Sequence, residues 1–102
     1  MITAKQNQKA VDVLKEIITN DPENPEARIL IARAYGELNQ YYESFSERAI
    51  YHYLRGNFDF AIEQINTAMT YAPNQTERKR LQATRQQYQT EKQLTEEAMR
   101  RL

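Results

Sequence analysis

Phe58, Ala61, Ile62, Ile65, Ala68, Met69 and Ala72 recur at offsets 0, 3, 4, 7, 10, 11 and 14, so a helix over this stretch has one face that is nearly all apolar. Several of these residues are alanine, which lets whatever packs on that face come close. Gly56 stands just upstream, where it ends a preceding helix, and Pro73 stands just downstream, where it ends this one. Ala49, before Gly56, supplies a further small residue on the partner helix. A large side chain at Ala49 or Ala61 would push the pair apart, at about 1 to 3 kcal/mol from overpacking. The stretch therefore reads as a tight antiparallel helical hairpin.

The rest of the chain is punctuated in the same way. Among 102 residues there are two glycines and three prolines, set between helical runs and not scattered as in an all-β chain. The pattern predicts an all-α fold of about five antiparallel helices, near 3–19, 25–38, 41–55, 58–72 and 75–100. Thr3 with Gln6 forms a capping-box pattern ahead of Ala10, Val11, Leu14, Ile17 and Ile18, which recur at helical spacing. Pro22 stops the first helix; Asn24 is suited to cap the second and Pro25 to open it. Asn39 tolerates the left-handed conformation that ends helices, and Asn74 with Glu77 repeats the capping pattern for the last helix. In that helix Leu81, Thr84 and Tyr88 form a sparse docking stripe. Beyond Thr90 the sequence turns polar, with scattered Leu94, Ala98, Met99 and Leu102, and the distal part is expected to project or fray.

Composition excludes several classes of function. The formal net charge is zero, which gives non-specific binding to nucleic acid little to act on. The charge is unevenly spread, since Glu77 to Leu102 holds seven basic and four acidic residues, leaving the preceding body acidic. Arg78, Lys79, Arg80 and Arg85 read as a solvated helix face. There is no cysteine, hence no disulfide framework or thiolate metal site, and no apolar run long enough for a membrane span. His52 is the only histidine, whereas a zinc site draws three or four ligands from His, Cys and carboxylates. His52 therefore reads as a packing or groove residue, and neither a cofactor nor an active site is expected in this chain. Tyr35 and Tyr71 are expected on helix-packing faces.

Ala49, Gly56, Phe58, Ala61, Ala68 and Pro73 fall at the spacings of the tetratricopeptide repeat signature, and a second, partial match starts at Pro25 with Ile31, Ala32 and Tyr35, preceded by the connector NDPENPEA. The chain thus resembles a tetratricopeptide α-α superhelix. The two matches are out of step: the turns at Asn39 and Gly56 are 17 residues apart, where equivalent turns of whole repeats are separated by about 34. The third helix must close one hairpin and open the next. The stretch ARAYGELNQYYESFSERAIYHYLRGNFDFAIEQINTAM, with RKRLQATRQQY after it, resembles the C-terminal repeat region of bacterial periplasmic zinc metalloproteases, including the β-barrel assembly-enhancing proteases. Those enzymes carry a zinc-binding H-E-x-x-H helix in a preceding domain, and nothing here matches it. The resemblance implies an isolated C-terminal domain, located in the periplasm, that packs on its own protease domain and helps recruit it to outer-membrane assembly proteins or misfolded clients.

Stacked helical hairpins form a curved surface that accepts an extended peptide or a helix of another protein. On the second helix Glu26, Ile29, Arg33 and Glu37 are expected to face that surface, with Arg33, Glu37 and Ser46 giving polar recognition of a protein or peptide partner. The competing reading is a stand-alone adaptor of a chaperone, secretion or signalling complex, cytoplasmic and without a protease. Self-association through exposed apolar surface is a third expectation.

Overall fold

Helix starts follow the capping chemistry. The computed structural model describes residues 3–102, and in it Thr3 Oγ1 accepts from the Gln6 amide while Gln6 Oε1 accepts from the Thr3 amide, opening α1 (Ala4–Asn20). Asn24 Oδ1 accepts from the Ala27 amide and Pro25 occupies the first position of α2 (Pro25–Glu37). α3 (Tyr41–Leu54), α4 (Phe58–Thr70) and α5 (Gln75–Arg100) follow, and each helix packs on the next in the chain. Among the described residues there is no strand, and the array is the all-helical, tetratricopeptide-like superhelix expected. At α5 the capping pattern is only half used. Asn74 Oδ1 accepts from the Glu77 amide, but the Glu77 carboxylate is drawn away to Tyr42 of α3.

The out-of-step turns have a single geometry. Leu38, Asn39 and Gln40 join α2 to α3, with φ of −89°, +60° and −93°; Arg55, Gly56 and Asn57 join α3 to α4, with φ of −91°, +77° and −92°. In both turns the amide two residues beyond the cap reaches back to the last turn, Gln40 to the Tyr35 carbonyl at 2.9 Å and Asn57 to the His52 carbonyl at 2.8 Å. The connections before α2 and after α4 each contain a proline and lack a left-handed residue. Two tight turns therefore occur in succession, and α3 is a full member of both hairpins. Gly56 has no neighbour within 4 Å of where a Cβ would sit, so only its left-handed backbone opposes substitution. Gly56→Ala is expected to lower stability by about 1 kcal/mol in urea unfolding.

The core falls into two clusters. Ala49, Ala61, Ile65, Ala68, Met69, Leu81 and Tyr88 join α3, α4 and α5, while Val11, Ile31, Ala34 and Tyr35 join α1 and α2. The seam between α2 and α3 is built from small and polar groups. Ala32 is fully buried there, and the buried Ser44 donates its hydroxyl to the Ala32 carbonyl at 2.7 Å. Arg28 adds a bond to Glu47 at 2.9 Å and two more to the Pro22 carbonyl, tying the first connector to the seam.

Two expectations about the packing need correction. Ile17 is exposed, because α1 packs closely only on α2 and buries a narrow stripe around Val11. Tyr71 is 47% exposed. It is the cap residue after α4, off the packing stripe, and its ring lies on the rings of Tyr41 and Phe45 at centroid distances of 5.3 and 5.8 Å.

Candidate binding grooves

Of the grooves this packing leaves among the described residues, two lie on opposite sides of α2. Residues Arg28, Ala32 and Tyr35 of α2 meet α3 or lie in the seam, so the 3.6-residue period turns Glu26, Leu30, Arg33 and Glu37 to the other side. The structure therefore separates Arg33 and Glu37 from Ser46, which were expected together. Glu26 is exposed one turn before Leu30 and lines neither groove, and Ile29 is half-buried.

The inner groove, of about 300 Å³, runs between α3 and α5 with Tyr35 of α2 at one edge. Glu43, Ser46 and Ile50 present one face of α3 to it, at spacings of three and four residues. Ile65 and Leu81, both nearly fully buried, form the floor, and Arg80 and Thr84 of α5 form the opposite wall. Tyr42 donates its hydroxyl to Glu77 Oε2 at 2.7 Å, and Glu77 also pairs with Arg80 at 3.4 Å. Burial, reinforced by the Glu77 carboxylate, pushes the Tyr42 phenol up to about 12. Glu43 forms no ion pair among the described residues, and the buried Ser46 hydroxyl finds no hydrogen-bond partner there. The groove thus offers an apolar floor and three carboxylates, of which Glu47 is held by Arg28 and Glu77 by Tyr42 and Arg80, leaving Glu43 unengaged among the described residues. Such a set receives N–H donors of a polypeptide and basic side chains.

The sequence patterns mark neither Glu43 nor Glu47, and they mark Glu77 only as a capping residue. The hairpin from Tyr42 to Pro73 held the signal, because fixing Ala49 against α4 turns Glu43, Ser46 and Ile50 toward α5 by helical periodicity.

The outer groove, of about 830 Å³, lies between α1 and α2. Ala10, Val13, Leu14, Leu30 and Ala34 line it, and Arg33 and Glu37 stand along its α2 edge.

His52 belongs to neither groove. It packs between Tyr51 and Phe60, at ring distances of 5.1 and 5.4 Å, and its Nδ1 is buried without a partner. Burial, followed by the charges of Arg48 and Arg55, lowers its pKa below the ordinary histidine value. The folded state then favours neutral His52, so its contribution to stability is complete above pH 6.5 and is lost as pH falls through the lowered value. Between pH 8 and 5 the wild-type melting temperature is expected to fall further than that of His52→Gln. Among the described residues no group of three or more His, Cys, Asp or Glu is placed to hold a metal, and no helix is long and apolar enough to cross a membrane.

Comparison with known proteins adds one finding. No curated protein matches the chain. A tetratricopeptide repeat family model matches residues 1–44, which covers α1, α2 and the opening of α3. Repeats of this kind generally mediate protein–protein interaction and are typically non-catalytic. Taken with the five-helix array and its repeated tight turn, the match supports a tetratricopeptide repeat domain.

Proposed function

We propose that the chain is a protein-binding scaffold whose inner groove takes an extended segment of a partner. The observation behind this reading is the composition of the groove, where Ile65 and Leu81 lie beneath Glu43, Glu47 and Glu77. Basic or N–H-rich segments fit that arrangement, because Glu43 on the groove wall has no ion pair to break among the described residues. Glu43→Lys places a cation on the groove wall and is expected to weaken partner binding at least tenfold while leaving the melting temperature within a few degrees. Unchanged affinity would remove the inner groove from the reading.

In its finer form, the proposal makes this chain the C-terminal repeat domain of a periplasmic zinc metalloprotease. There it packs against the protease domain and recruits it to outer-membrane protein assembly or to misfolded clients. Support comes from the resemblance carried by the run from Ala32 to Met69 and from RKRLQATRQQY. The reading frame upstream of this segment provides the first test, since an H-E-x-x-H helix there agrees with a protease and its absence favours a stand-alone adaptor. Biolayer interferometry against that protease domain and against outer-membrane assembly proteins provides the second. Binding that Glu43→Lys weakens agrees with the proposal, and no interaction with any of them counts against it.

A further inference from the structure

Among the described residues several large apolar side chains are exposed, and two of the surfaces they form complement each other. One is the outer groove, where Val13 is 57% and Leu30 47% exposed. The other is the distal end of α5. Leu81 and Tyr88 bury the first half of that helix along one face, whereas Leu94, Ala98 and Leu102, spaced by four, lie along an adjoining stripe that is exposed, Leu94 at 60%. Lys92 bonds Asp59 of α4, and beyond it no hydrogen bond or ion pair among the described residues reaches another helix. A polar helix end of this length gains little stability alone.

The two surfaces match in length and in charge. The groove-lining positions run from Leu30 to Glu37 on α2, seven steps or roughly 10 Å, and the stripe runs from Leu94 to Leu102, eight steps or roughly 12 Å. Arg33 and Glu37 are four residues apart and border Leu30 and Ala34, and neither forms an ion pair among the described residues. Glu97 and Arg101 are also four residues apart and border Leu94 and Ala98, in the opposite order of charge. Laid parallel, Glu97 meets Arg33 and Arg101 meets Glu37; laid antiparallel, both pairs repel. Glu97 and Arg101 bond each other at 3.0 Å in the free chain, an exposed pair that is cheap to exchange.

We propose that the outer groove receives the distal α5 of a second copy of this chain, parallel to α2, so that copies associate head to tail. The contact is heterologous, groove to helix end, and small enough to be weak. It does not depend on the inner-groove reading, which survives if this one fails.

Sedimentation velocity over a concentration series extending into the high-micromolar range tests it on the full chain. The wild type is expected to gain mass with loading. Leu30→Glu in the groove and the pair Leu94→Glu with Leu102→Glu on the stripe are each expected to abolish the gain, with circular dichroism confirming the fold. Reversing Arg33→Glu with Glu37→Arg, or Glu97→Arg with Arg101→Glu, should raise the dissociation constant by roughly tenfold, and combining both reversals should restore it. The charge reversals keep the test decisive should Leu30→Glu unfold the chain. A wild type that stays monomeric overturns the proposal. So does association that only the stripe variants disturb, which would place α5 against α5, or a double reversal that fails to rescue.

Discussion

Tyr88→Ala is expected to lower the unfolding free energy by about 3–5 kcal/mol and to release α5 from the array. Tyr88 is 4% exposed, and its ring stacks on that of Tyr53 at 4.4 Å with planes 10° apart. With Leu81 it is one of two buried side chains on a helix of 26 residues. The polar contacts of α5, Glu77 with Tyr42, Arg85 with Asn66 and Lys92 with Asp59, lie near the surface and do not replace it. Tyr88→Phe keeps the ring and is expected to cost under about 1 kcal/mol, since among the described residues the hydroxyl makes no hydrogen bond. Chemical denaturation of both variants separates ring packing from the polar tip. Amide exchange should show protection lost along α5 first in the alanine variant.

Ile65→Ala is the second large effect, expected at about 2–5 kcal/mol. Ile65 is 1% exposed and sits in the cluster that joins α3, α4 and α5 beneath the inner groove. Around it are Ala49, Ala61 and Ala68, each without exposed surface and already small, so there is little slack for the neighbouring helices to take up. The surroundings therefore collapse little into the void, and the cost should fall in the upper part of the range. Ile65→Val, which removes one methylene, should cost about 0.5–1.5 kcal/mol. Because the same side chain floors the groove, Ile65→Val is also expected to weaken peptide binding without unfolding the domain.

The fold was legible because helix ends and small contact residues are local features. Thr3, Asn24, Asn39, Gly56 and Asn74 act within a few residues of themselves, and each does in the structure what its chemistry predicts. The spacing of Asn39 and Gly56 even disclosed that α3 serves two hairpins, and the near-identical dihedrals of both turns explain how. The binding surface was less legible. Arg33, Glu37 and Ser46 were grouped because the usual inward positions of stacked hairpins turn toward one concave surface, but which faces share a groove depends on how α2 and α5 are set about α3. That arrangement rests on non-local contacts such as Arg28 with Glu47, Ser44 with the Ala32 carbonyl and Tyr42 with Glu77. No periodicity within one helix announces them.

The most direct measurement is to select peptides from a random-sequence display library on the intact chain and map the footprint of the best binder by amide chemical-shift perturbation. A groove between α3 and α5 that binds polypeptide predicts shifts gathered on Glu43, Ser46, Ile50, Glu77 and Thr84. Shifts confined to the face of Arg48, His52 and Phe60, or no peptide selected at all, would contradict it.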